Sequence, residues 1–154
     1  NLIQANINNI QINEAKEVIP MIDIQYTIET EQYGNKTGNR LFIPANIFRK
    51  GFTTPDLKQR VQDIHINYGY LDTDSICLQI PEGYTIESLP KTCQVTSSFG
   101  SFSSSLMIKD KEICIIHRLL MHRGIYPKEI YKDFLEFRKQ IAAQYSSKII
   151  LKKE

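Results

Sequence analysis

The chain has 154 residues, 42% hydrophobic and 23% charged, the mixture of a globular domain rather than a disordered one. A net charge of +2 is too small to point to nucleic acid or an anionic membrane as partner. No apolar run approaches the ~20 residues that span a bilayer. Cys77, Cys93 and Cys114 make an odd count without a CxxC, neither a disulfide framework nor a zinc ribbon. One bridge plus a free thiol stays open, and the redox compartment does not follow from these three. The chain starts at Asn1 rather than Met, which reads as a piece of a longer protein.

Leu2 to Ile12 is Asn-rich, and Leu2, Ile3, Ile7, Ile10 and Ile12 fit no single period. Residues 1–20 are therefore read as a connecting segment or edge strand, and 21–154 as the main module. Ile22, Ile24, Tyr26 and Ile28 alternate with Asp23, Gln25, Thr27 and Glu29, the pattern of a half-buried strand. Leu41-Phe42-Ile43 is expected to return against it as a hairpin, after a loop marked by Gly34 and Gly38. Residues 45–59 read as an irregular connection. Arg60 to Pro90 reads as strand, corner, strand, turn, strand, with Asp72-Thr73-Asp74-Ser75 as the polar corner and Pro81-Glu82-Gly83 as the turn.

The Ser-rich run Thr96 to Ser105 resembles a linker, but Phe99 and Phe102 argue against one. Leu106 to Ile108 continues as a strand, Lys109 to Glu112 is a polar turn, and Ile113 to Met121 is apolar on both parities, as in a strand covered on both sides. Pro127 then opens a helix over 127–145, with Ile130, Phe134, Phe137, Ile141 and Tyr145 on one face. Ile149-Ile150-Leu151 is a final strand, and Lys148, Lys152 and Lys153 read as the solvated face of an edge strand. The fold class is mainly β: an antiparallel β-sandwich of about eight strands with one late amphipathic helix and a C-terminal strand.

Candidate chemistry is sparse. Asp72 and Asp74 are two apart, so in an extended chain their carboxylates point the same way and could share a cation. A solvated corner is the plainer reading, and no metal site is assigned. Cys114 and His117 are three apart; in a strand they face opposite sides and cannot form a nucleophile–base pair directly. His65 and His122 lack ligand-spaced partners. Tyr68, Tyr70 and Tyr84 with Phe99 and Phe102 offer an aromatic platform for a sugar or peptide, although aromatics more often pack the core. No P-loop, GxGxxG, GxSxG or HExxH occurs, so no catalytic residue and no cofactor is assigned.

Four stretches together carry a resemblance: YGNKTGNRLFIP (Tyr33 to Pro44), YGYLDTDSICLQIPEGYTIESLP (Tyr68 to Pro90), FGSFSSS (Phe99 to Ser105), and YPKEIYKDFLEFRKQI followed by KIILKK (Tyr126 to Lys153). In this order they resemble the domain of unknown function that forms the C-terminal module of certain bacterial transglutaminase-like proteins. The resemblance covers most of residues 21–153. It implies a sandwich-like module, an extracytoplasmic (periplasmic or secreted) location, and a cysteine-dependent, papain-like domain upstream with no catalytic residue in the module itself.

The function expected on these grounds is non-catalytic and structural, with the upstream domains of the same chain as partners. Exposed apolar residues among Tyr33, Phe48, Phe52 and Tyr70 would serve that docking. The alternative is a glycan- or peptide-binding module centred on Tyr68, Tyr70, Asp72 and Asp74, with no nucleic-acid partner.

Overall fold

The computed structural model describes residues 3–47, 54–55, 57 and 60–154. The chain divides into two compact units, Asn1–Asn35 and Lys36–Glu154. The first is a two-stranded antiparallel ribbon of β1 (Ile3–Ala15) and β2 (Met21–Gln32). The second begins with β3 (Asn35–Thr37), β4 (Arg40–Pro44), β5 (Ile64–Ile66), β6 (Tyr70–Gln79) and β7 (Tyr84–Ser88). It continues through β8 (Cys93–Ser97), β9 (Gly100–Lys109), β10 (Glu112–Met121) and β11 (Gly124–Tyr126). A 3-10 turn (Lys128–Ile130), helix α1 (Tyr131–Tyr145) and β12 (Lys148–Lys153) complete it.

The sandwich is built from two four-stranded sheets, β6-β10-β9-β8 and β3-β4-β12-β7, with β5 and β11 as a short separate pair. Alternation along β10 decides which face of the first sheet is buried. Ile113, Ile115, His117, Leu119 and Met121 point inward and are buried, while Arg118 and Leu120 are exposed on the other face. The expectation that this strand is covered on both sides is therefore not met. Its apolar outer residues, Ile116 and Leu120, remain open to solvent in part or whole.

Helix α1 forms where the sequence places it. Ile130 and Phe134 are half-buried, and Tyr131, Leu135, Phe137, Ile141 and Tyr145 are buried. This stripe closes one core cluster with Ile64, Phe99, Phe102, Leu119 and Met121. Phe99 sits in the two-residue turn between β8 and β9, yet it is fully buried, with its ring 4.7 Å from Tyr126 and 5.0 Å from Phe134. The Ser-rich run is thus a hairpin pinned by its aromatics. Polar serines are tolerated there because alternate ones, Ser101, Ser103 and Ser105, fall on the outer face.

Several local expectations fail for non-local reasons. Asp72 to Ser75 is not a corner. β6 runs through it unbroken, because each residue pairs with β10: Asp72 with Leu119, Thr73 with Arg118, Asp74 with His117 and Ser75 with Ile116. Ladder pairing outweighs local turn preference. β2 does not pair with the Leu41 strand; it pairs with β1, and β4 pairs with β12. β12 is not an edge strand but lies between β4 and β7, although Lys148, Lys152 and Lys153 are exposed as expected. The strands number twelve among the described residues rather than about eight, the excess coming mostly from three-residue pieces. The turn at Pro81 to Gly83 forms as read: the Tyr84 N–H donates to the Pro81 carbonyl, and Gly83 takes φ +74°.

Candidate functional site

The residues singled out in the sequence divide between two places. Tyr70, Asp72 and Asp74 lie on the inward face of β6, because i, i+2 and i+4 share a face. Tyr70 is 39% exposed, and its hydroxyl is a hydrogen-bond partner of Arg138. Burial lowers the Arg138 pKa, opposed by Tyr70 and Tyr145. Asp72 and Asp74 are half-buried, and Asn46 approaches the Asp74 carboxylate at 3.5 Å. Tyr68 lies outside the strand and is 81% exposed. It lines an open groove of about 410 Å³ with His65, Ile66, Asn67, Arg123, Gly124 and Ile125. Tyr33 is half-buried, and Phe48 and Phe52 lie outside the described residues.

Register brings three further groups into one inward-facing row with Asp74 that spacing alone did not reveal. Cys93 of β8 faces Ser104 of β9, Ser104 faces His117 of β10, and His117 faces Asp74 of β6. Ser104 is 5% and His117 1% exposed. The His117 ring stacks on Phe102 at 5.7 Å and meets Tyr145 edge-on at 5.1 Å. Neither ring nitrogen has a hydrogen-bond partner among the described residues. A serine beside a histidine beside an aspartate has the residue types of a nucleophile and its base, but the hydroxyl–imidazole hydrogen bond such a pair needs is not made. Cys93 is the free thiol, and burial pushes its pKa up, away from the reactive thiolate.

Burial also holds the His117 pKa below its ordinary value, with Asp74 pulling weakly the other way. The folded state therefore resists a proton that the unfolded chain accepts near pH 6.5. Stability is complete above that pH and falls as the pH drops below it, by at most about 1.4 kcal/mol per pH unit for one proton. Urea midpoints at pH 7 and pH 5 should show this loss, and His117→Phe should reduce it. An identical pH dependence in the variant would assign the loss to other groups.

On the outer face, Cys77 and Cys114 are cross-strand partners joined by a disulfide, with Cα atoms 4.0 Å apart. The pairing left open by the sequence is thus one bridge plus free Cys93. Cys114 and His117 lie on opposite faces, as their spacing requires. Among the described residues, Cys77, Glu112 and Cys114 form a group of three His, Cys, Asp or Glu donors whose ligand atoms all lie within 4.8 Å of one another.

The β1–β2 ribbon carries the largest apolar exposure. Its register puts Ile7 opposite Ile28, Ile12 opposite Ile24 and Glu14 opposite Ile22 on one face, and Asn6, Asn8, Gln11 and Asn13 opposite Glu29, Thr27, Gln25 and Asp23 on the other. A bulge between Asn8 and Gln11, where Asn9 takes φ +55°, adds the one residue that keeps Ile7 and Ile12 on the same side. Ile7, Ile12, Ile22, Ile24 and Tyr26 are all exposed, and Val18 and Ile19 continue the apolar surface at the tip. No helix among the described residues is long and apolar enough to cross a membrane.

No curated protein and no solved structure matches the chain. A family model matches residues 39–151, which hold β4 through most of β12 with the core cluster, so the chain belongs to the family DUF3858, a domain of unknown function with solved structure.

Proposed function

We propose that this domain is a non-catalytic, structural module of a larger extracytoplasmic transglutaminase-like protein, docked on the upstream domains of the same chain. The observation that supports it is the one-sided ribbon of residues 3–32. A two-stranded ribbon is at best marginally stable in water, and an aliphatic sheet face calls for a second layer. Ile7, Ile10, Ile12, Ile22, Ile24 and Tyr26 offer on the order of 500 Å² of apolar surface, the scale of one side of a domain–domain contact. Glu14 is the one charge whose register places it on that face, so the surface suits another β-sheet better than a charged ligand. The order of motifs from Tyr33 to Lys153 supplies the transglutaminase-like context. Immunoblotting of the natural gene product in its own cells tests the reading: a band several times heavier than 17.9 kDa is expected, and one at 17.9 kDa overturns it.

A second reading, a glycan- or peptide-binding module, is favoured by the groove beside Tyr68, which combines an exposed aromatic with His65 and Arg123. Titration of cell-wall glycans and peptides to millimolar concentration tests it. Binding weakened by Tyr68→Ala supports it, and no binding at all removes it.

A further inference from the structure

The outer face of β10 collects three sulfur atoms in one cross-strand row. Cys77 of β6 faces Cys114 of β10, and Cys114 faces Met107 of β9. Side chains directly opposite on antiparallel strands have Cβ atoms about 5 Å apart, so the Met107 thioether reaches the pair. Glu112 lies two residues from Cys114 on the same face, with its Oε2 3.6 Å from the Cys114 sulfur. Gln79 donates to the other carboxylate oxygen, Oε1, at 2.9 Å, which leaves Oε2 turned towards the sulfurs. The donor atoms of Cys77, Glu112 and Cys114 all lie within 4.8 Å of one another. Two sulfurs bound to one ion at about 2.3 Å each sit at most about 4.6 Å apart, so side-chain rotation alone gathers them. Cys77 is exposed and Met107 is 60% exposed, so solutes reach the row from solvent.

We propose that this row is a thiol-gated site for a soft metal ion. Reduced, Cys77, Cys114 and Met107 hold one cuprous ion beside the Glu112 carboxylate; oxidised, the Cys77–Cys114 bond closes the site. A small dithiol supplies two electrons and two protons to the S–S bond and leaves as its own cyclic disulfide. The two protein thiols then lose their protons to solvent as the ion binds. Thiolate and thioether ligands select monovalent copper, whereas zinc takes four thiolate, imidazole or carboxylate donors and gains little from a thioether. The strands are held by their ladders on either side of the row, so the sheet presents the ligands in register in both states.

The test uses the full 154-residue chain, oxidised or reduced by a dithiol that is then removed, with circular dichroism confirming that the reduced chain is folded. Each form is titrated against cuprous ion held in a coloured chelator complex. The reduced chain should withdraw one ion per molecule and the oxidised chain none. Met107→Leu, an exposed and conservative change, should weaken retention by about tenfold or more, as loss of one soft ligand does. Cys93→Ser should change nothing. The proposal is overturned if the folded, reduced chain withdraws no copper or if Cys93→Ser abolishes uptake. Undiminished retention in Met107→Leu, or zinc held more tightly than copper, also overturns it.

Discussion

Gly100→Ala should destabilise the domain by at least about 3 kcal/mol, lowering the thermal midpoint by roughly 10 °C. Gly100 opens β9 opposite Met121, at φ +148°, a region that side chains with a Cβ rarely enter. A Cβ built there would stand 1.9 Å from the Leu120 carbonyl oxygen and 2.9 Å from its carbon. Those atoms are backbone of the adjoining strand, so no rotamer relieves the clash. The site is also anchored: the His122 N–H donates to the Phe99 carbonyl at 2.8 Å, and the buried Phe99 ring fixes the turn. Gly83→Ala is the control. Gly83 has φ +74° with open space around its Cβ position, so only the conformational cost of about 1 kcal/mol remains. Urea unfolding of the two variants separates close approach from backbone preference, and equal losses would contradict the packing assigned to the β9–β10 pair.

Cys77→Ser should cost about 3–4 kcal/mol. The bridge to Cys114 spans 37 residues, and in the chain-entropy model closing a loop of that length restricts the unfolded chain by about that much. Because Cys77 is exposed, the serine itself adds little packing penalty, and most of the loss belongs to the cross-link. Cys114→Ser should cost a similar amount, and the double variant little more than either single one, since both remove the same bond. Adding a dithiol to the wild-type chain should lower its unfolding midpoint to that of the variants. A midpoint unmoved by reduction would contradict the bridge.

Much of the architecture was legible because it rests on periods carried within single segments. The stripe from Ile130 to Tyr145 specifies a helix, and the alternation from Ile22 to Ile28 specifies a strand, whatever lies opposite. Partners were not legible. β1 hides its alternation because the bulge at Asn8 to Gln11 shifts the phase by one residue, which leaves the Leu41 strand as the visible mate for β2 in the sequence. Asp72 to Ser75 has turn-forming side chains, but a local preference cannot report the ten-residue ladder with β10 that holds it extended. The inner row of Cys93, Ser104, His117 and Asp74, and the outer row of Cys77, Cys114 and Met107, exist only through register among four strands. The parity of β10 was the one available signal. It set Cys114 and His117 on opposite faces and so placed them in different rows.

Hydroxyl-radical footprinting of the ribbon tests the docking proposal most directly, comparing the 154-residue chain with the natural full-length product. Ile24 and Tyr26 share the aliphatic face, are exposed in the chain and are oxidised by the radical, whereas Met21 falls on the opposite face. Docking on an upstream domain predicts that Ile24 and Tyr26 are modified in the isolated chain and shielded in the natural product, while Tyr68, away from the ribbon in sequence and itself exposed, is modified in both. Equal modification of Ile24 and Tyr26 in the two samples would contradict it.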